Sequence, residues 1–556
     1  MEIAREPLPN KEAIYIVSAT KDSVQRIIDD FDPEVNEFIS KKDQYAAVHL
    51  FFTSVLPDNL FEKLTKAQVR AYIGTMKELN LLFHLQESQV FHTNHENSLK
   101  EVFSPVADKD SVQKHLCEIS KRLCTVVTTL GEAPLIRYDK RSNPSKRLAS
   151  IVKDDLAALA AAGLELKVPK KTPADERVQV LILDRTVDLV APILHEFTYQ
   201  AMVHDLVPVD EHGCIEHSYT DNTGKEQTRK VLLSENDQLW LRLRHMHIQD
   251  TCRWVVKAFN EFVAANKKVG DLEMGNASTL KEMGEAMRAL PQYRDMKSKY
   301  AVQIDLATTC MDYFKKRNLK ELAMLEQDLV VGVKRKDVKK ALSQFFNDDK
   351  VHKKDKLRLL LIYLISQSEQ GRMTLKDKEE VVIDAGYPPD PQGDAKIIRC
   401  LGSLGVKLDK ASLKENVKEA KEKEKEEKKV KKKKGEEDEA SYELSRYVPV
   451  VKRLTQSLIA GDLPTAKFPF VDPPADVEAP SKESSSAGSK SKWGAKKQDG
   501  GKEETGTQLK KGRVIVFVIG GMTYSETRSA YELTEATGKE VIIGMYFSES
   551  FYSFIS

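Results

Sequence analysis

The chain has 556 residues, 41% hydrophobic and 31% charged. That is too long for a single core and predicts about three domains. Lys and Arg number 87 against 85 Asp and Glu, and a net charge of +2 excludes a dedicated, strongly basic nucleic-acid-binding domain. Six cysteines (Cys117, Cys124, Cys214, Cys252, Cys310 and Cys400) form no CxxC pair and no Cys/His zinc spacing. They read as reduced thiols of a cytoplasmic protein that needs no metal or cofactor. The opening MEIAREPLPN lacks the apolar stretch of a secretory signal. The longest apolar run, Leu357–Ile365, is about half of what a bilayer requires and is broken by Arg358, so any membrane role must pass through a partner.

In chain order, Ala13–Val17 and Ala46–Phe52 are short runs rich in β-branched and aromatic residues, the pattern of buried parallel strands. Val24, Ile27, Ile28 and Phe31 repeat between them at helical spacing. Asp58 is placed to cap a helix carrying Leu60, Phe61 and Leu64; a further helix is predicted over Val69, Ile73 and Met76, then a strand at Leu81–Phe83. Such alternation makes an open α/β sheet. Val178–Asp184 has the apolar density of a central strand. From about Asp237 to Ile365 the period is helical, with Ser234 and Asp237 as a capping box ahead of Trp240. Strand signals return at Val514–Ile519 and Glu540–Ile543, around a helix over Glu526–Leu533. A lone β-α-β unit cannot bury enough surface to fold alone. It should therefore add strands to the sheet that holds Val178–Asp184, with the helical region inserted between the two parts. Lys414–Glu439, almost all Lys and Glu, reads as a solvated charged loop, and Pro473–Gly512 as a flexible connector.

Catalytic chemistry finds few candidates. Asp184 and Asp188, in LDRTVD after a buried strand, occupy the place where open α/β sheets carry active sites. They are the basis of an alternative reading, an α/β phosphotransferase or hydrolase; the structural reading is that Asp184 and Arg185 fix the strand end. Gly520 and Gly521 follow a strand, but fit neither GxGxxG nor GxxxxGK[ST], so a tight βα turn is expected. His245 and His247 lie two apart on a helix and cannot share a face to hold a metal.

The segment VLILDRTVDLVAPILHEFTYQAMVHDLVPV (Val180–Val209) resembles the most distinctive stretch of the Sec/Munc (SM) family, in its Munc-eighteen subgroup. The similarity continues, in order, through Asp237–His247, Leu290–Tyr293, Glu326–Leu329, Asp355–Tyr363, Tyr442–Tyr447 and VIVFVIGGMTYSETRSAYELT. The resemblance implies an α/β plus α protein, a three-domain arch of two open parallel-sheet α/β domains with a large, mostly helical domain inserted into the second. The domains would be 1–138, then 139–248 with 508–556, and 249–507 between them. It implies a monomeric, non-catalytic regulator of vesicle docking and membrane fusion in exocytosis. Its partners would be syntaxin and assembling or assembled SNARE complexes, with no nucleic acid and no small-molecule substrate. It would be cytoplasmic, and peripheral at the plasma membrane through syntaxin.

Two contact regions follow from the resemblance. PDNLFEKLTKAQVRAYIGTMKEL matches the pocket for the N-terminal peptide of syntaxin. Phe61, Ile73 and Met76 would form an apolar socket there, with Glu78 on the rim for a basic residue of the peptide. The alternative is that the three apolar side chains only pack two helices together. A helical hairpin over Lys334–Asp355 would contact SNARE helices, with Phe345 and Phe346 as apolar anchors. Ser343 stands where relatives carry a proline, and the missing helix breaker would ease extension of the hairpin. Measured against the family, about sixty residues are absent before the point matching Arg5, and GMYFSESFYSFIS after Ile543 differs from the usual ending. The expectation is a truncated or alternatively spliced product whose first sheet has an unpaired edge and whose clamp for closed syntaxin is impaired.

Overall fold

A computed structural model describes residues 7–32, 44–93, 98–104, 107–166, 177–210, 213–220, 225–266, 294–332, 338–386, 401–410, 414, 445–474 and 512–545. Most of the charged Lys414–Glu439 segment and of the Pro473–Gly512 connector, the Leu290–Tyr293 motif, Cys400 and the tail beyond Met545 lie outside the described residues. The chain divides into two compact units, 1–84 with 114–134 and 147–171, and 85–113 with 135–146 and 172–556.

The first unit is built on a three-stranded sheet of order β1-β2-β3, from β1 (Leu8–Val17), β2 (Tyr45–Phe52) and β3 (Ile73–Glu78), all parallel. Helices α1 (Lys21–Asp29) and α2 (Asp58–Lys66) cross over one face. Thr20 caps α1 by accepting from the Ser23 N–H, whereas α2 follows Pro57 with no side-chain cap. The core is Tyr15, Val24, Ile27, Phe31, Tyr45, Val48, Leu50, Phe52, Leu56, Leu60, Leu64 and Val69.

Two predictions here are corrected. Val69 ends in a 3₁₀ helix (Gln68–Tyr72), and Ile73–Glu78 is the strand β3 rather than a continuing helix. The three-and-four spacing of Val69, Ile73 and Met76 imitates a helical stripe because the register with β2 slips by one residue at Gly74: Ile73 lies opposite Val48 and Met76 opposite Leu50. A Cβ at Gly74 would stand 3.2 Å from the His49 ring, so glycine accommodates the slip. The predicted strand Leu81–Phe83 is instead irregular chain after a left-handed Asn80 (φ 51°), with the Leu79 and Leu81 N–H groups bonded back to Phe52 and Thr53. Strand β1 is the edge of this sheet among the described residues, and Ile14 and Ile16 are 68% and 64% exposed.

Past β4 (His84–Glu87), β5 (Val90–His92) and α3 (Ser98–Phe103) come α4 (Lys109–Leu130), β6 (Leu135–Tyr138) and α5 (Asn143–Ala161). Helices α4 and α5 meet through Ser120 Oγ, which donates to Asp155 Oδ2 at 2.6 Å.

The second unit contains β7 (Gln179–Asp184), α6 (Tyr199–Leu206), the antiparallel pair β8 (Cys214–Thr220) and β9 (Glu226–Leu232), and α7 (Gln238–Leu243). The helices α8 (Ile248–Asn266), α9 (Arg294–Lys316), α10 (Leu319–Val331), α11 (Val338–Asn347), α12 (Lys353–Glu369) and α13 (Leu375–Asp384) follow. Then come α14 (Val450–Ile459), β10 (Arg513–Ile519), α15 (Tyr524–Thr537) and β11 (Glu540–Met545). Its six-stranded sheet has the order β4-β5-β11-β10-β7-β6. The carboxy-terminal strands therefore enter the sheet begun by β7, with Val514–Ile519 in parallel register against Gln179–Asp184. Strands β4, β5 and β6, drawn from within residues 1–138, belong to this same sheet.

Gly544 belongs to that sheet too. A Cβ there would stand 2.1 Å from the Phe91 ring, which stacks on Phe517 at 6.3 Å. The expected Ser234/Asp237 capping box is not formed. Asp237 alone caps α7, its Oδ1 accepting from the Leu239 N–H at 3.0 Å, while Ser234 contributes only its carbonyl to the turn. The apolar run Leu357–Ile365 lies in α12, which is buried along nearly its whole length among Phe197, Trp240, Leu322 and Leu329. Among the described residues no helix is long and apolar enough to cross a membrane.

Candidate functional site

In the first unit, the carboxyl ends of β2 and β3 and the start of α2 surround a cavity of about 580 Å³ lined by Phe52, Leu56, Asp58, Phe61, Met76, Lys77, Glu78 and Asn80. The carboxyl edge of a parallel sheet is a natural site for such a crevice, because the crossovers diverge there. Phe61 (41% exposed) and Met76 (36%) present apolar surface to solvent, above a floor made by the buried Phe52 and Leu56. Glu78 Oε1 accepts from the Leu56 N–H at 2.8 Å, tying the β2–α2 loop to the end of β3.

The structure thus brings together Phe61, Met76 and Glu78. It leaves Ile73 out of the lining, packed instead against the core beneath. Sequence reading missed Leu56, Lys77 and Asn80, and took Phe52 and Asp58 only as strand and cap. Asn80, a residue type that tolerates the left-handed conformation, was the available signal that the chain turns there.

Ser343, Phe345 and Phe346 lie on α11. Phe346 is in the core (5% exposed) and its carbonyl accepts from Lys356 Nζ at 2.7 Å; Phe345 is half-buried against the same core. Ser343 accepts from the Asn347 side chain through both its carbonyl and its hydroxyl. Lys339 fastens the other end of α11 to α13 through Asp377 and Glu380, the latter at 3.0 Å.

Asp184 ends β7 in a cage of donors: Ser142 Oγ, the Thr186 N–H at 2.9 Å and Thr186 Oγ1 at 2.5 Å. Burial raises its pKa although these bonds oppose the shift. Asp188 Oδ1 accepts from the Val190 and Ala191 N–H groups, and Oδ2 from that of Val450. Both carboxylates are engaged as turn builders. Arg185, wholly buried, makes a bidentate pair with Glu526 at 2.7 and 2.8 Å, and Glu526 also closes a capping box with Thr523. Gly520 (φ +100°) allows that approach: a Cβ would meet Arg185 Cβ at 3.0 Å and Leu99 at 2.9 Å. Gly520 and Gly521 are therefore a tight βα turn. His245 makes a tilted ring contact with Tyr531 and is pushed down to about 3 by burial; His247 is also lowered by burial. Among the described residues no cluster of three metal-ligating side chains occurs.

Two buried ionic joints organise the second unit. Arg244 bridges Glu235 (2.8 Å) and Glu87 (3.3 Å) under the Tyr531 ring. His195 Nδ1 lies 2.8 Å from Glu326 and Nε2 lies 3.7 Å from Asp355, itself paired with Arg317; Arg358 makes a bidentate pair with Asp205.

These features fall within one protein class. The Sec1 family model matches residues 1–545, and the chain belongs to that family. It is 36% identical to the protein transport protein sec1 of Dictyostelium discoideum, over 97% of this chain and 86% of that relative. It is 29% identical to the SNARE-interacting protein KEULE of Arabidopsis thaliana, over 97% and 84%. Among solved structures, the Unc18–syntaxin 1 complex of Monosiga brevicollis superposes with a TM-score of 0.71 at 27% identity, covering 99% of this chain and 88% of that one. The SM protein Vps45 with the Qa SNARE Tlg2, at 22% identity and TM-score 0.68, shares the fold.

Proposed function

We propose that this chain binds syntaxin and SNARE assemblies and so regulates vesicle docking and membrane fusion, acting by binding and templating rather than by catalysis. The observation that carries the reading is the cavity at the carboxyl edge of the first sheet, where Phe61, Met76 and Glu78 converge in a chain of the Sec1 family. An extended peptide would place an apolar side chain between Phe61 and Met76, over the Phe52 and Leu56 floor. Ile73 supports the wall from behind. The names of the relatives, a SNARE-interacting protein and a syntaxin-bound Unc18, point to the same partner class.

The second contact is the α11–α12 hairpin, with Ser343, Phe345 and Phe346. Because Phe346 is part of the core, its use as an anchor requires α11 to leave its seat, which the Lys339 clasp opposes. The partition into 1–138, 139–248 with 508–556, and 249–507, with β4, β5 and β6 passing from 1–138 to the sheet of the second α/β domain, and a location at the plasma membrane through syntaxin, belong to the same proposal.

Phe61→Ala tests it. Loss of a half-exposed aromatic anchor should cost about 2 kcal/mol, roughly 30-fold in affinity for the isolated N-terminal peptide of syntaxin. Unchanged peptide affinity in a folded variant would remove the pocket assignment.

A further inference from the structure

Arg317, just past the end of α9, donates through Nε to Asp355, in the first turn of α12, at 2.9 Å. That joint holds the α9–α10 turn against the start of α12, and lysines flank it on both sides. Lys315 and Lys316 precede Arg317 and Lys320 follows it; Lys350 and Lys353 precede Asp355. All five are exposed, and among the described residues none has an ion-pair partner. Residues 312–321 and 348–356 together carry eight cations against five anions, a surplus larger than the +2 of the whole chain. Two of those anions are already engaged: Asp355 with Arg317, and Asp348, whose Oδ1 accepts the Lys350 N–H at 2.9 Å. The amino-terminal end of α12 adds partial positive charge. Tyr313, three residues before Lys316 on α9 and 36% exposed, sets an aromatic ring beside the lysines.

We infer that the α9–α10 turn and the start of α12 form a contact for the anionic headgroups of a membrane surface. With Arg317 committed to Asp355, the patch offers lysine point charges and no free bidentate fork. Mobile point charges suit a plane of phosphate and carboxylate headgroups, and a tyrosine ring sits favourably at headgroup level. The contact is electrostatic and reversible, and it adds to whatever a membrane-anchored partner supplies. It stands whether or not the cavity of the first unit binds a peptide.

Co-sedimentation of the full chain with phosphatidylcholine vesicles, with and without phosphatidylserine, tests it. Binding should require phosphatidylserine and weaken in high salt. Lys316→Gln and Lys353→Gln should each lower the partition coefficient about fivefold, the loss of one lysine near an anionic surface, with the unfolding midpoint unchanged. Equal sedimentation with the two kinds of vesicle, or parent-like binding by both variants, would overturn the inference. Replacing Lys431–Lys434 by glutamine should preserve binding and its dependence on Lys316 and Lys353. Loss of all binding in that variant would place the contact in the charged segment instead. Polyglutamate that binds through Lys316 and Lys353 while phosphatidylserine vesicles do not would assign the surface to an acidic protein.

Discussion

Single residues carry the sharpest tests of the packing. Gly544 lies under the Phe91 ring, and the Cβ of Gly544→Ala would stand 2.1 Å from it. Overpacking of this kind should lower stability by about 1–3 kcal/mol, read as a shift in the denaturant midpoint. Breaking the wholly buried Arg185–Glu526 pair by Glu526→Gln leaves a guanidinium uncompensated and should cost about 3 kcal/mol or more. A midpoint unmoved by either change would contradict the packing at that site.

His195 gives a pH signature. It faces Glu326 and Asp355, with Arg358, Asp205 and Arg317 completing the joint. With imidazolium, three cations balance three anions, and the two carboxylates raise the His195 pKa despite burial and Arg358. A folded pKa above the unfolded value of 6.5 gives stability fully present below that value and lost as pH rises through the folded pKa. The stability advantage over His195→Gln should therefore be greatest near pH 6 and smaller near pH 9. His204 is lowered to about 4 by burial, so its contribution has the opposite sign and falls as pH drops below 6.5. The comparison with His195→Gln cancels that background. A difference independent of pH would contradict a protonated His195.

At the scale of elements, the sequence was legible wherever one element is buried on all sides. Val178–Asp184, Val514–Ile519 and Leu357–Ile365 are continuous apolar runs because β7, β10 and α12 have no solvent face. The joining of β10 and β11 to β7 followed from the inability of a short β-α-β unit to fold alone. The reading failed at β3, where a one-residue register slip at Gly74 restores a near-helical spacing to the apolar positions of a strand. As a helix, Ile73 and Met76 would share one stripe, whereas in the strand Ile73 is half-buried against the core and Met76 borders the cavity. Leu56, Lys77 and Asn80 were illegible because cavity lining is set by where a loop returns, not by periodicity. Among the described residues β1 is an edge strand with Ile14 and Ile16 exposed, and an unpaired edge of this kind favours association with another strand. Ile16→Lys should reduce concentration-dependent light scattering without lowering the unfolding midpoint; unchanged scattering would mean this edge is covered in solution.

At the scale of the whole molecule, the proposed function gives this Sec1-family chain two contacts for one partner, the cavity of the first unit and the α11–α12 hairpin. Two weak contacts on one partner give avidity only when the partner spans both. The syntaxin N-terminal peptide and the rest of its cytoplasmic region should then contribute together. Calorimetric titration of the full chain with a syntaxin cytoplasmic region, with and without its N-terminal peptide, measures this directly. Binding should weaken by at least about tenfold when the peptide is deleted, with Phe61→Ala reproducing most of that loss. Equal affinity for the two forms, or no heat with either from a chain shown to be folded, would contradict it.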